Sequence, residues 1–541
     1  MIRSNLWNAD NGDGTYINPI LYADYSDPDA IRVGEDYFMI ASSFCNVPGI
    51  PVLHSKDLVN WQVINYVLKK LPDSIYDKPV HGCGVWAPSI RYHEGVYYVC
   101  FPMPDEGIFM CTTTDPFGDW SEPVNIRPGA GWIDPCPFWD DDGKAYLVAG
   151  VAKSRIGYKS VLHMVRMQPD GMALIGDEVK IFDGNENDQV TIEGPKLYKR
   201  NGWYYIFAPA GGVKTGWQTV LRSKNIFGPY EYQVVMRQGE TNVNGPHQGA
   251  WVDTVTGEDW FLHFQDVYAA GRIVHLQPVT WENDWPIIGA AKPGNDYGEP
   301  VGRYRKPNVG GITVDRIEPA SSDDFAGKAL NRAWQWNANP RDEWYDICES
   351  GLTLHAIHKE GAYSDVPNLL LQKWPAPEFE CVAVLHLEQL TPGDEAGVIS
   401  MGMQYGLIAF ERLDDSIRVK RVLGKQKFGK IFVEQTEEES LVIAQVPAEM
   451  DTVYVKYRVK RNGTRDLNES EKGFPCEIVT FFYSFDGEEY HEALIMESVP
   501  GRWVGVKYGL FCISSALSSS GSVTVTEVRM ERQITFELQE D

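Results

Sequence analysis

The sequence predicts an all-β chain in two parts, a five-bladed β-propeller and then a β-sandwich, and three observations carry that prediction. Five glycines, Gly34, Gly95, Gly143, Gly202 and Gly257, each introduce an aromatic strand, and they are separated by 61, 48, 59 and 55 residues. Each follows a polar or aromatic residue by seven to ten positions: Asp27, Trp86, Asp134, Glu193 and His247. A period of about 50 residues made of short strands and turns is that of propeller blades, each of which buries its faces against its neighbours. Beyond Ser322 the period stops while strand alternation continues, which is the pattern of a sandwich.

Taken in order, residues 1–16 are polar and turn-forming, with Asn11-Gly12-Asp13-Gly14, and Ile17-Asn18-Pro19-Ile20-Leu21 is the apolar entry to blade one. The propeller domain is placed at 1–292. A second mark falls 24 to 28 residues after the turn glycine, at Trp61, Trp120, Tyr230, and Trp281 with Trp285. Blade three has Gln168-Pro169-Asp170-Gly171 there instead. A Pro/Gly-rich change of composition, from Lys292 through Pro300, Pro307 and Gly310-Gly311 to Pro319, marks a linker, 293–321, expected to cross the surface of the first domain. The sandwich is placed at 322–541, with strands at Gly351–Ala356, Phe379–Val384, Thr452–Tyr457 and Thr480–Tyr483. The polar stretch from Arg461 to Gly473, with Asn468-Glu469-Ser470-Glu471-Lys472, reads as an exposed hairpin loop.

A chain of 541 residues exceeds one core and suggests two or three domains. Its charge of −26 argues against a nucleic-acid partner, which needs a basic face. The first ten residues hold no apolar signal segment, and no apolar run approaches the ~20 residues that span a bilayer, so no membrane partner is expected. Nine cysteines without metal-ligand spacing, Cys45, Cys100, Cys381 and Cys512 in apolar contexts, read as thiols in a reducing compartment. The expected location is cytoplasmic; the oligomeric state stays open.

In a propeller the first strand of every blade lines the central axis, so the five head residues should converge. Three of them, Asp27, Asp134 and Glu193, are carboxylates, and gathering them costs repulsion and desolvation that a purely structural axis would not need. Acidic residues at strand ends also cap turns or bind calcium, so that reading stays open here. The chemistry such a trio allows is glycoside hydrolysis. One carboxylic acid protonates the leaving oxygen, a carboxylate acts on the opposite side, and a third carboxylate raises the pKa of the acid.

The motifs Tyr25-Ser26-Asp27-Pro28-Asp29, Val85-Trp86-Ala87-Pro88-Ser89, Ile133-Asp134-Pro135-Cys136-Pro137-Phe138, Glu193-Gly194-Pro195-Lys196-Leu197 and Ala270-Gly271-Arg272-Ile273-Val274 resemble, in order, those of glycoside hydrolase family 43. The stretch Gly501 to Phe511 resembles the concanavalin-like jelly roll found on its β-xylosidase members. The resemblance implies Asp27 as general base, Glu193 as general acid and Asp134 as the residue that tunes and orients the acid. It also implies that Phe44 and Trp86 wall the sugar and that His247 and Arg272 position polar groups near the axis. Packing is the alternative account of Phe44 and Trp86, an ion pair that of Arg272, and a structural water or calcium that of His247. Cys45-Asn46-Val47-Pro48-Gly49 stands where those members carry an aromatic, acidic run, and Ser522 to Val528 lacks their aromatic-acidic ending, so xylose and arabinose both stay open.

The reading is an exo-acting, inverting hydrolase that releases terminal β-D-xylose or α-L-arabinofuranose from hemicellulose oligosaccharides taken up by the cell. No cofactor and no catalytic metal are expected, and a structural calcium is allowed. The alternatives are an endo-arabinanase of the same family and a propeller that binds carbohydrate without cleaving it.

Overall fold

The computed structural model describes residues 6–465 and 473–532. Five antiparallel sheets built from consecutive strands form the blades of the propeller. Their first strands are Asp29–Val33, Ser89–His93, Trp132–Trp139, Lys196–Arg200 and His247–Asp253. All five turn glycines lie between the first and second strands of their blades with φ from +63 to +85°, a region open to glycine at no steric cost. The second sequence mark falls at the hairpin between the third and fourth strands. In blade three Trp139, from the first strand, supplies the missing aromatic: its Nε1 donates to the carbonyl of Pro169 at 2.7 Å.

Each blade alternates side chains between its two faces, and the alternation sorts the core into five interblade clusters. Between blades one and two, Phe38, Ile40 and Val52 meet Tyr97, Val99 and Phe101. The next residues along, Tyr98 and Cys100, turn the other way to meet Leu147 and Ala149 of blade three. The ring closes where Ala30 and Tyr37 of blade one pack with Ala250 and Trp260 of blade five. Leu21 there bridges Val274.

The expected linker 293–321 does cross the propeller, and it is partly structured. Gly298–Glu299 adds in parallel to the outer strand of blade four, and Arg303–Arg305 pairs with Thr15–Ile17. Lys306 is tied to Asp10 at 2.6 Å and Asp57 at 2.7 Å.

Two large sheets then face each other as the concanavalin-like sandwich. One centres on Lys507–Ser514 and Asp394–Met401, the other on Phe379–His386 and Ser522–Arg532. Burial along Phe379–His386 alternates at every residue, as a strand with one face in a core requires. The four strands expected from alternation appear as Gly351–His355, Phe379–His386, Thr452–Thr464 and Pro475–Ser484. Most of the expected hairpin loop, Asn468 to Lys472 included, lies outside the described residues. The outermost strand Val433–Pro447 is largely exposed and carries Glu434, Glu437, Glu438 and Glu439, charges that discourage edge-to-edge pairing.

The two parts share one apolar core. Leu6, Tyr22, Val267, Ala269, Ala270 and Ile273 of the propeller side belong to the same buried cluster as Trp334, Trp336 and the sandwich interior. Backbone bonds cross the junction too: Val47 and Trp336 exchange two, at 3.0 and 2.5 Å, and the N–H of Val506 reaches the carbonyl of Ala269 at 2.7 Å.

Candidate active site

At the mouth of the propeller axis lies a cavity of about 350 Å³, and Asp27, Phe44, Trp86, Asp134, Glu193, His247 and Arg272 all line it. The backbone explains how residues from five blades reach one point. Asp27, Trp86 and Glu193 sit two or three residues ahead of their first strands, on the loops that enter the axis. Asp134 instead lies inside its strand, at a bulge where pairing slips between Ile133 and Cys136, with φ +55°. His247 begins its strand, and a second bulge follows between His247 and Gly249. Bulges re-aim side chains that a regular ladder would point into neighbouring blades. Asp27 and Phe44 also adopt left-handed backbone, φ +55° and +53°, conformations that cost free energy and concentrate at functional sites.

Asp27 is held only as an acceptor. Its Oδ2 receives the hydroxyls of Ser26 at 2.8 Å and Ser42 at 2.6 Å, and its Oδ1 receives Nη1 of Arg272 at 2.9 Å. These are the contacts of an ionised carboxylate. Arg272 also donates to the Ser26 hydroxyl at 2.8 Å and spreads over the Phe264 ring, 4.7 Å from its centroid.

Asp134 is buried, and its Oδ2 accepts the N–H of Gly194 at 2.8 Å. Burial, first, and then the negative charges of Glu193 and Asp27 push its pKa up to about 8; the Gly194 bond and buried Lys196 pull the other way. Lys196 sits behind the trio with no exposed surface, its Nζ on Ser89 Oγ at 2.6 Å. Glu193 is the trio's open member, with 29% of its side chain exposed against 7% for Asp27. Its Oε1 lies 3.0 Å from His247 Nε2, and His247 is itself buried. A site so arranged retains a proton among three carboxyls near neutrality and presents one of them to the cavity.

Aromatic rings line the same cavity. Phe44 and Trp86 stand 6.2 Å apart between centroids, Trp86 is fixed by an Nε1 bond to the carbonyl of Gly82 at 3.1 Å, and the Arg155 guanidinium lies 4.8 Å from its ring centroid. Arg155 is held by a fork to Asp105 at 3.0 and 2.8 Å. A third ring comes from the sandwich: Trp503 lines the cavity 6.5 Å from Trp86. Sequence reasoning quoted the stretch around Trp503 but gave it no place in the site, because the blade period carries no information about what a second domain inserts. Lys153, Ser154 and Lys159 also line the cavity. Among the described residues, no group of three or more His, Cys, Asp and Glu side chains is spaced to hold a metal ion.

Both parts of the chain match known families. The profile of glycosyl hydrolases family 43 matches residues 16–286, and that of the beta xylosidase C-terminal concanavalin A-like domain matches 322–531. A putative beta-xylosidase of Xylanibacter ruminicola is 37% identical over 527 residues, covering 96% of this chain and 90% of the relative. A non-reducing end alpha-L-arabinofuranosidase of Bacteroides ovatus is 28% identical over 537 residues, covering 90% of this chain and 95% of the relative. Among solved structures, a bifunctional protein of Bacteroides eggerthii superposes with a TM-score of 0.79 at 26% identity, over 96% of this chain; the chain spans 64% of that longer protein.

Proposed function

Because the chain belongs to glycoside hydrolase family 43, we propose that it is an exo-acting enzyme that removes terminal β-D-xylosyl or α-L-arabinofuranosyl units from hemicellulose oligosaccharides, with inversion at the anomeric carbon. The observation that carries the reading is the walled mouth. Trp503 of the sandwich joins residues of the propeller in lining one compartment of about 350 Å³, where an endo-acting enzyme needs a groove open at both ends. The relatives named as a beta-xylosidase and as an arabinofuranosidase support both pentoses as candidates. A propeller that only bound sugar would gain nothing from three carboxyls gathered so that they share one proton up to about pH 8.

In this reading Glu193 donates its proton to the glycosidic oxygen as the bond to the anomeric carbon breaks. Asp27 takes a proton from the water whose oxygen attacks that carbon from the opposite side. One water is consumed, and solvent returns the proton from Asp27 to Glu193. Asp134 orients Glu193 and, by its charge, keeps the proton in the trio. Arg272 and the two serines hold Asp27; His247 holds Glu193; Phe44, Trp86 and Trp503 take the sugar faces. Inversion requires the Asp27 and Glu193 carboxyls to stand roughly 6.5–9.5 Å apart, leaving room for the water.

This set is complete in protons and charge, so we take hydrolysis to need no cofactor. Dialysis against EDTA tests that, and a structural calcium would appear in the same experiment as a fall in Tm reversed by calcium. The nine free cysteines support a reducing, cytoplasmic location, which cell fractionation checks. The deciding experiment is release of 4-nitrophenol from its β-D-xyloside and α-L-arabinofuranoside, followed by NMR of the sugar first released. Activity on neither substrate, or a product of retained configuration, would overturn the reading.

A further inference from the structure

Asp24 is buried at the junction of propeller and sandwich, away from the cavity, and belongs to none of the motifs that carry the chemistry. Its two carboxylate oxygens are divided between the two parts of the chain. Oδ1 accepts the backbone N–H of Arg272 at 3.0 Å, and Oδ2 accepts the backbone N–H of Gly505 at 2.9 Å. Each of those N–H groups leads straight to the site. Arg272 is the residue whose guanidinium grips Asp27, and Gly505 lies two positions after Trp503. The backbones are in contact here: a Cβ on Gly505 would fall 2.9 Å from the carbonyl of Ala270.

We propose that Asp24 is a positioning residue that ties the Trp503 loop to the Arg272–Asp27 pair, so that one carboxylate sets both the sandwich's wall of the sugar compartment and the base that faces it. A carboxylate suits this place because only an acceptor at both ends satisfies two converging N–H donors; an amide has one acceptor and one donor. Its charge is also matched. Lys373, half-buried, and Lys507, buried, stand directly opposite each other on adjacent sandwich strands; burial lowers the pKa of both, and Asp24 is the acidic group that counters it and favours the charged form of each. A group serving only as interface filler would not need a separate bond to the segment that positions the base.

The inference rests on the reading of Asp27 as the base, and the test separates the two. Asp24→Asn keeps shape but leaves one of the N–H groups facing an NH2. In hydrogen exchange read by mass spectrometry, peptides covering 267–273 and 501–506 should lose protection together, whether or not any glycoside is cleaved. In kinetics on the better 4-nitrophenyl pentoside, Asp24→Asn should lower kcat/KM by about 10- to 100-fold, the loss that accompanies one hydrogen bond to a charged group. Trp503→Ala should lower it too, and the double variant should be less impaired than the product of the two single losses, because both act through the same loop. Should Asp24→Asn fold poorly, adding Lys373→Met removes one uncompensated, half-buried charge, and the same comparison is made in that background. Unchanged exchange in either peptide, kcat/KM within twofold of the parent, or single losses that simply multiply would each overturn the proposal. An inactive parent with coupled loss of protection would instead leave the tie standing and remove the hydrolase reading.

Discussion

Asp134 is the driest of the three carboxyls, and its pKa near 8 follows from burial and from two anionic neighbours. Its folded pKa is raised, so the trio keeps a proton up to about pH 8 and loses it above; the high-pH limb of kcat/KM should fall there. Asp134→Asn removes a negative charge from beside Glu193, so that limb should move to lower pH, and a pH–rate profile measures it. The other two carboxyls separate by leaving group. Glu193→Gln should cost about 10²–10⁴-fold on natural oligosaccharides and far less on aryl pentosides, whereas Asp27→Asn should be equally impaired on both. Equal losses for Glu193→Gln would remove it as the acid. All seven residues drawn from the sequence face one cavity. The groups that hold them were not legible: Ser42 reaches Asp27 from the end of the neighbouring strand, and Trp503 enters from hundreds of residues away. Spacing within a repeat registers neither.

At the scale of the element, the blades were readable because a glycine turn and a strand of alternating faces leave a composition signal at a fixed interval. The bulges were not, since inserting one residue into a ladder changes no composition; Asp134 therefore appeared from sequence as the head of a strand and lies at the third position of Trp132–Trp139. The loop joining blades one and two depends on a glycine of another kind. Gly84 has φ +88°, and a Cβ there would meet the carbonyl oxygen of Phe44 at 2.3 Å. Phe44 and Val85 bridge each other at that point, which sets the Phe44 ring against Trp86. Gly84→Ala should destabilise the protein by about 2–4 kcal/mol and raise KM more than it lowers kcat, because it displaces a sugar wall and not the carboxylates. Thermal unfolding and steady-state kinetics together check this.

For the whole molecule, the question is whether the sandwich is an attachment or part of the enzyme. Glu477, fully buried on the Pro475–Ser484 strand with neither carboxylate oxygen hydrogen-bonded, has its pKa raised by burial to about 7. The unfolded chain ionises it near its ordinary 4.5, so the stability it contributes at lower pH is lost as pH rises from 4.5 to about 7. Glu477→Gln should then match the parent in Tm at pH 4 and exceed it at pH 8, on the order of 2 °C. A larger test removes the sandwich altogether. The linker is stiff and partly strand-paired, unlike a tether that lets a module roam. The buried cluster shared by Tyr22, Val267, Ala269, Ala270 and Ile273 with Trp334 and Trp336 joins the two parts in one apolar core. Residues 1–319 expressed alone would expose that apolar face, lose Trp503 from the cavity and leave the Oδ2 of Asp24 without Gly505. The fragment should aggregate, and any soluble fraction should bind pentosides weakly and turn them over slowly. Size-exclusion chromatography and the 4-nitrophenyl assay decide the matter: a monomeric, fully active 1–319 would mean that neither the compartment wall nor the Asp24 tie is needed for hydrolysis.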